Sequence, residues 1–197
     1  MSVSLSKGQR VDLTKGRPSL KSIFVGLGWD INHYDGEADF ALDASAFMTK
    51  ANGKVGSDGD FIFYGNLKSA DGSVTHTGDN RTGEGEGDDE VLYIDFTKVP
   101  ADVERIAITV TIYEAQERGQ NFGQVSNAYV RLARRSSEND SVGTEELRYD
   151  LGEDFSVETA LVVCELYRSG ATWKFNAVGA GYQGGLYALC KAYGVNV

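Results

Sequence analysis

The sequence predicts a mainly β protein: a two-sheet antiparallel β-sandwich with a few short helices, one of them near the C-terminus. Three observations predict it. Apolar residues alternate with polar or small ones at period two through most of the chain, the pattern of half-buried strands. Glycine is plentiful, with 24 residues against two prolines, which fits many tight turns between short elements. Only two segments carry a helical pattern, so the strands have to pack chiefly on one another.

Taken in order, Ile23, Val25, Leu27 and Trp29 alternate with Ser22, Phe24, Gly26 and Gly28. Phe40, Leu42, Ala44 and Ala46 fall on one face of a second strand, which places Asp39 and Asp43 on the other. Asn52-Gly53 is a type I′ hairpin signal between Phe47 and Val55. Phe61-Ile62-Phe63-Tyr64 and Leu161-Val162-Val163-Cys164 are continuous apolar runs, the signature of central strands. Leu92, Ile94 and Phe96 alternate, as do Ile106, Ile108, Val110 and Ile112, and again Trp173, Phe175 and Ala177. Ala115 to Gly119 predicts one helical turn. Gly184-Gly185 followed by Leu186 to Tyr193 predicts the C-terminal helix, with Gly194 as its stop. Neither an internal repeat nor a linker-like composition divides the chain, so residues 1–197 read as one domain, a length that suits a single buried core.

Charge and cysteine content narrow the function. No apolar run approaches the roughly 20 residues needed to span a bilayer, and Met1 to Lys7 lacks the apolar core of a signal peptide. Cys164 and Cys190 form neither a metal motif nor a disulfide framework, so the expectation is a cytoplasmic protein with reduced thiols. The net charge of −10 is concentrated between Gly28 and Asp95, where fifteen acids face only Lys50, Lys54, Lys68 and Arg81. Nucleic acid is excluded as a partner, because binding it requires a basic face to neutralise phosphates. Cations or basic patches on other proteins are favoured instead.

The densest chemistry lies in Gly78-Asp79-Asn80-Arg81-Thr82-Gly83-Glu84-Gly85-Glu86-Gly87-Asp88-Asp89-Glu90. Glycine alternating with acids lets the backbone fold tightly while oxygens crowd together. A hard, many-coordinate ion such as Ca²⁺ suits such a crowd. An EF-hand frame fails here: with Asp79 first, the third position is Arg81 and the obligatory glycine is Glu84. A phosphate-cradling loop is disfavoured, since these glycines alternate with anions and no Lys-Ser/Thr follows. Asp39 and Asp43 on a regular strand lie about 13 Å apart at roughly 3.3 Å per residue, too far to ligate one ion directly. Either the strand is bulged or the two serve different ions; a solvated strand face is the alternative for both. Asp58 and Asp60 in Ser57-Asp58-Gly59-Asp60 fit a turn as well as a ligand pair. No acid–base pair or nucleophile motif stands out. His33 and His76 read as surface or turn residues, Cys164 as core, and Cys190 as partly exposed on the last helix.

The chain resembles the TerD family of bacterial tellurite-resistance and stress-response proteins over almost its whole length. The resemblance is carried by Gly26-Leu27-Gly28-Trp29-Asp30, Asp43-Ala44-Ser45-Ala46-Phe47, Asp60 to Asn66, Asp71-Gly72-Ser73-Val74, Ser126 to Arg131 and Glu165-Leu166-Tyr167-Arg168. Its most specific element is Gly-Asp-Asn-Arg-Thr-Gly followed by Gly-Asp-Asp-Glu within residues 78–90. The resemblance implies a β-sandwich that binds calcium through clustered acidic loops. It also implies no catalytic activity, and a cytoplasmic role beside other Ter proteins, some of them membrane-embedded. The family commonly carries an acid where this chain has Ala41, which would weaken one site.

The expected ligands are Asp79, Asn80, Glu84, Asp88, Asp89 and Glu90 from the loop, joined by Asp30, Asp39, Asp43 and Asp60 from neighbouring segments. Gly83, Gly85 and Gly87 supply shape and carbonyl oxygens. Two Ca²⁺ ions are expected, because the carboxylates are too many for one. The expected partners are calcium and other Ter-family proteins, one of them in a membrane, with no insertion of this chain itself. Two other readings stand beside this one: a metal-dependent hydrolase or nucleotide-binding protein using the same acids, and a metal-free module whose acidic face docks a basic partner.

Overall fold

The computed structural model describes residues 3–17, 19–29, 40–78, 87–125, 127–135, 143–151 and 157–197. In chain order the strands are β1 (Val3–Ser4), β2 (Arg10–Asp12), β3 (Ser22–Gly28), β4 (Leu42–Thr49), β5 (Phe61–Ile62), β6 (Val74–His76), β7 (Glu90–Asp95) and β8 (Arg105–Ile112). Helix α1 (Ala115–Arg118) follows, then β9 (Tyr129–Arg134), β10 (Thr144–Asp150), β11 (Ala160–Ser169), β12 (Thr172–Tyr182) and helix α2 (Gly185–Tyr193). They form two six-stranded sheets, ordered β1-β10-β9-β3-β7-β6 and β2-β12-β11-β8-β4-β5. Every pairing between these strands is antiparallel except that of β1 with β10.

The predicted alternation builds the space between the sheets. Ile23, Val25 and Leu27 of β3 and Leu92 and Ile94 of β7 meet Ile106, Ile108, Val110 and Ile112 of β8 and Trp173 and Phe175 of β12 in one cluster. On β4 and β8 the other face is buried as well, because α2 lies over it. Leu189 and Cys190 of the helix join Phe47, Phe61, Ala107 and Val162 in a second apolar layer. Cys190, expected to be partly exposed, is therefore buried, and that burial raises its thiol pKa, as it does for Cys164 in the main core. A register shift between Val162 and Cys164 marks a bulge in β11, and Val163 and Cys164 both enter the inter-sheet core. This accommodates the unbroken apolar run there.

Three local expectations change. Phe61-Ile62 is a two-residue edge strand and not a central one: it pairs with β4 alone, and its apolar rings are consumed by stacking, Phe61 lying 4.4 Å from Phe47 and 4.3 Å from Phe63. The turn after β4 is a three-residue loop and not type I′. Gly53 takes φ +75° while Asn52 keeps a negative φ, and the Lys50 N–H donates to the Lys54 carbonyl. Finally, His76 is buried. The C-terminal helix ends as predicted: Gly194 adopts φ +80°, its N–H meets the Lys191 carbonyl, and the Val195 N–H reaches the Cys190 carbonyl at 2.9 Å.

Candidate functional site

The antiparallel order of β3, β7 and β9 gathers three chain segments at one end of the first sheet. β3 ends there at Gly28, β7 begins at Glu90, and β9 begins at Tyr129, with Leu27 opposite Glu90 and Gly28 opposite Tyr129. Trp29 closes this corner. Its backbone N–H donates to the Asp89 carboxylate at 3.0 Å, and its indole N–H donates to the Phe40 carbonyl at 3.2 Å. Trp29 and Phe40, which flank residues 30–39, thus lie beside Asp89, close to the end of the 79–86 segment in sequence. Of the expected ligands, Asp30, Asp39, Asp79, Asn80, Gly83, Glu84 and Gly85 lie outside the described residues.

The three consecutive acids Asp88, Asp89 and Glu90 point in three directions. Asp88 turns onto the outer face of the first sheet and rests over Gly26. A Cβ at that glycine would sit 2.2 Å from the carboxylate, so only glycine leaves room for it. There Arg131 donates to it in bidentate fashion, Nε at 2.7 Å and Nη2 at 2.7 Å, and the Tyr129 hydroxyl approaches at 3.3 Å. The Tyr129 ring needs a second glycine, Gly28, whose Cβ would fall 2.5 Å from it. Hydrogen bonding to Asp88 and its negative charge raise the guanidinium pKa of Arg131. Burial, followed by the charge of Asp88, pushes the Tyr129 phenol up to about 12.

Asp89 bonds back to the corner, and Glu90 turns inward. The Glu90 side chain is fully buried, and its Oε2 accepts the Ala44 N–H at 2.7 Å. His76 meets the same residue: its Nε2 lies 3.0 Å from the Ala44 carbonyl and 3.4 Å from Glu90, while its Nδ1 accepts the Gly78 N–H at 2.9 Å. Acceptance at Nδ1 fixes the ring proton on Nε2, which donates to Ala44. β5 pairs with β4 only at Ala46 and Phe47. Past its end, two side chains from the first sheet take the place of a strand along the edge of β4. Sequence reasoning missed His76, Tyr129 and Arg131. The alternation His76, Val74 on a strand with a buried face was the available signal for the first. Arg131 opposite Gly26 was the signal for the pair.

Asp43 and Asp60 are not brought to this corner. Asp43 is buried on the outer face of the second sheet, opposite in direction to Ala44 and beneath the start of α2. Asp60 sits level with Met48, roughly 16 Å along β4 from Asp43 at about 3.3 Å per residue. Its carboxylate accepts the Gly56 and Ser57 N–H groups at 3.0 and 2.9 Å, and Asp58 holds Asn196 at 3.1 Å. Both acids of that turn serve its architecture. Among the described residues no group of three or more His, Cys, Asp or Glu side chains converges as a metal site. The described carboxylates therefore do not make an ion site by themselves; Asp88, Asp89 and Glu90 stand beside residues that flank segments 30–39 and 79–86.

A TerD domain model matches residues 1–193. The chain belongs to the TerD family. It is 61% identical over 196 residues to the tellurium resistance protein TerD of an Alcaligenes species, covering 100% of this chain and 99% of that protein. It is 53% identical to general stress protein 16U of Bacillus subtilis (strain 168), with complete coverage of both. The crystal structure of a TerD homologue, SCO6318 from Streptomyces coelicolor A3(2), superposes with a TM-score of 0.67 at 23% identity, covering 86% of this chain and 95% of that one. At that identity the likeness speaks for the fold alone. The family is thus one of tellurium resistance and general stress response. No helix among the described residues is long and apolar enough to cross a membrane.

Proposed function

We propose that this TerD-family protein is a non-enzymatic calcium-binding sensor or scaffold of a cytoplasmic stress-resistance assembly that includes other Ter proteins, one of them membrane-embedded. One observation carries the reading. Residues that flank two acidic segments, 30–39 and 79–86, share a single corner made by Trp29, Phe40, Gly78 and Asp89. Between them these segments hold Asp30, Asp35, Glu37, Asp39, Asp79, Glu84 and Glu86 against Arg81 alone among lysines and arginines. Like charges about 4 Å apart repel by on the order of 1–4 kcal/mol per pair near a protein surface, and a divalent cation removes that repulsion only where the fold has gathered them. Calcium suits the site better than magnesium, since it accepts six to eight oxygens in irregular geometry.

In this proposal Asp79, Asn80 and Glu84 bind, with Asp30 and Asp39. Asp88, Asp89 and Glu90 hold the frame, because each is already engaged with Arg131, Trp29 or Ala44. Titrating chelator-treated protein with calcium then raises the midpoint of thermal unfolding, by about 2.7 kcal/mol of stability at one hundred times Kd. Asp79→Ala removes most of that gain. Asp102→Ala leaves it intact, since Asp102 pairs with Lys50 at the far end of β4. Equal gains with magnesium, or a full gain in Asp79→Ala, would rule out calcium at this corner.

A further inference from the structure

The outer face of the second sheet carries a pocket of about 550 Å³ where α2 begins, within the range of small-molecule sites. It lies on the side of β4 opposite to Ala44 and Glu90, so it is separate from the corner just described. Three of the five large apolar side chains exposed among the described residues, Tyr64, Val157 and Tyr187, stand at its mouth. Such grouping of apolar surface at one depression marks a binding site more often than scattered exposure does. The charges are one-sided: Asp43 lines the pocket at 6% exposure, Glu114 and Glu117 stand at its edge, and no lysine or arginine lines it among the described residues. Glu114 is held at φ +50°, a left-handed conformation that side chains adopt rarely and that concentrates at functional sites.

We propose that this pocket binds a small organic cation: an ammonium or guanidinium group on an apolar or aromatic body. The cationic group is drawn by Asp43 and the two glutamates, and the body lies between Tyr64 and Tyr187. The Lys191 ammonium lies 4.6 Å from the ring centroid of Tyr187 and occupies that face, so the ligand's cationic group is placed at the carboxylates and only its apolar body against the tyrosines. The N-terminus of α2, with about half a positive charge, and the Lys191 ammonium beside Tyr187 oppose a cation, against three carboxylates. Part of that positive end is also satisfied, since the Gly185 N–H donates to the Thr159 hydroxyl at 3.0 Å. An anion would meet the reverse balance.

The experiment is calorimetric titration with tyramine and agmatine, with 4-hydroxyphenylacetate as the anionic counterpart, in the presence of calcium and again with a chelator. Both amines bind, the anion does not, and chelation leaves the amine affinity unchanged. Asp43→Asn weakens the amines by about tenfold or more, the scale expected when one member of a buried charge pair is neutralised. Because Asp43 is buried, the exposed double change Glu114→Gln with Glu117→Gln gives a second reading that spares the core, and it weakens binding by severalfold. Tyr187→Ala lowers tyramine affinity more than agmatine affinity. Absence of heat with both amines at millimolar concentration overturns the proposal. So do equal affinity for the anion, binding only when calcium is present, or binding confined to a lysine- or arginine-bearing peptide while the free amines fail.

Discussion

On the outer face of the first sheet, Asp88 lies over Gly26 and is held by Arg131 and Tyr129. The outer face of the second sheet is covered instead by α2, whose Leu189 and Cys190 sit against Phe47, Ala107 and Val162. One cover is a charge pair seated in a trough that glycines leave open; the other is an apolar helix. The two respond differently to loss. An apolar contact that shrinks leaves a cavity whose effect scales with its volume. A pair that loses one member leaves a desolvated charge without its partner, while removal of both members is often neutral. The covers also differ in extent. The helix begins just after Gly184, and around that N-terminal end the face it protects opens into the acidic pocket.

The largest expected effect tests the apolar cover. Leu189 is fully buried, and Leu189→Ala should destabilise the protein by about 3–4 kcal/mol through lost burial and an unfilled cavity. Denaturant unfolding with an unchanged m-value measures it. A loss that depended on salt would break the comparison, because nothing at Leu189 is ionic.

Asp88→Ala should follow at about 2–3 kcal/mol. The full range for a broken buried pair is about 3–5 kcal/mol, but the Arg131 side chain keeps 13% of its surface in solvent and regains some hydration. Removing both members, as in Asp88→Ala with Arg131→Met, should restore most of the loss. A double variant no more stable than Asp88→Ala would show that Arg131 is held by its packing over Phe24, 5.0 Å away, rather than by the carboxylate.

The inner half of this architecture was legible in the sequence, and the outer half much less so. Period-two alternation marks which side chains share a face, and Ile106, Ile108, Val110 and Ile112 lie between the sheets as that pattern requires. Alternation does not say what covers the other face. Ser45, Ala107 and Thr109 read only as the second face of half-buried strands, and Asp43 as a ligand or a solvated residue, yet all four are buried. The acidic loop stood out as a composition, yet the divergence of Asp88, Asp89 and Glu90 depends on partners 40 or more residues away in sequence. Gly26 and Gly28 belonged to a family motif. Their physical reason, room for Asp88 and for the ring of Tyr129, exists only once β3, β7 and β9 lie side by side.

The smallest expected effect separates the two covers by pH. Tyr129 ionises near pH 10 in an unfolded chain, but in the folded protein burial and the charge of Asp88 push its phenol up to about 12. Between those values the folded state keeps a proton that the unfolded state has released. Its contribution is complete below pH 10 and is lost as pH rises toward 12. Tyr193, the last residue of α2, stacks on Phe47 at 4.5 Å, and its phenol is also pushed up by burial. Alkaline loss of stability therefore comes from both faces. Tyr129→Phe should lose the hydroxyl's donation to the Gly87 carbonyl at 2.9 Å, a modest destabilisation at neutral pH. Its stability should then fall less steeply than the parent's between pH 10 and 12, with the remaining slope due to Tyr193 and to the buried thiols of Cys164 and Cys190. Unfolding midpoints across that interval measure the difference. Parallel curves for parent and variant would mean that the phenol titrates alike folded and unfolded, and that the cover of the first sheet rests on Asp88 and Arg131 alone.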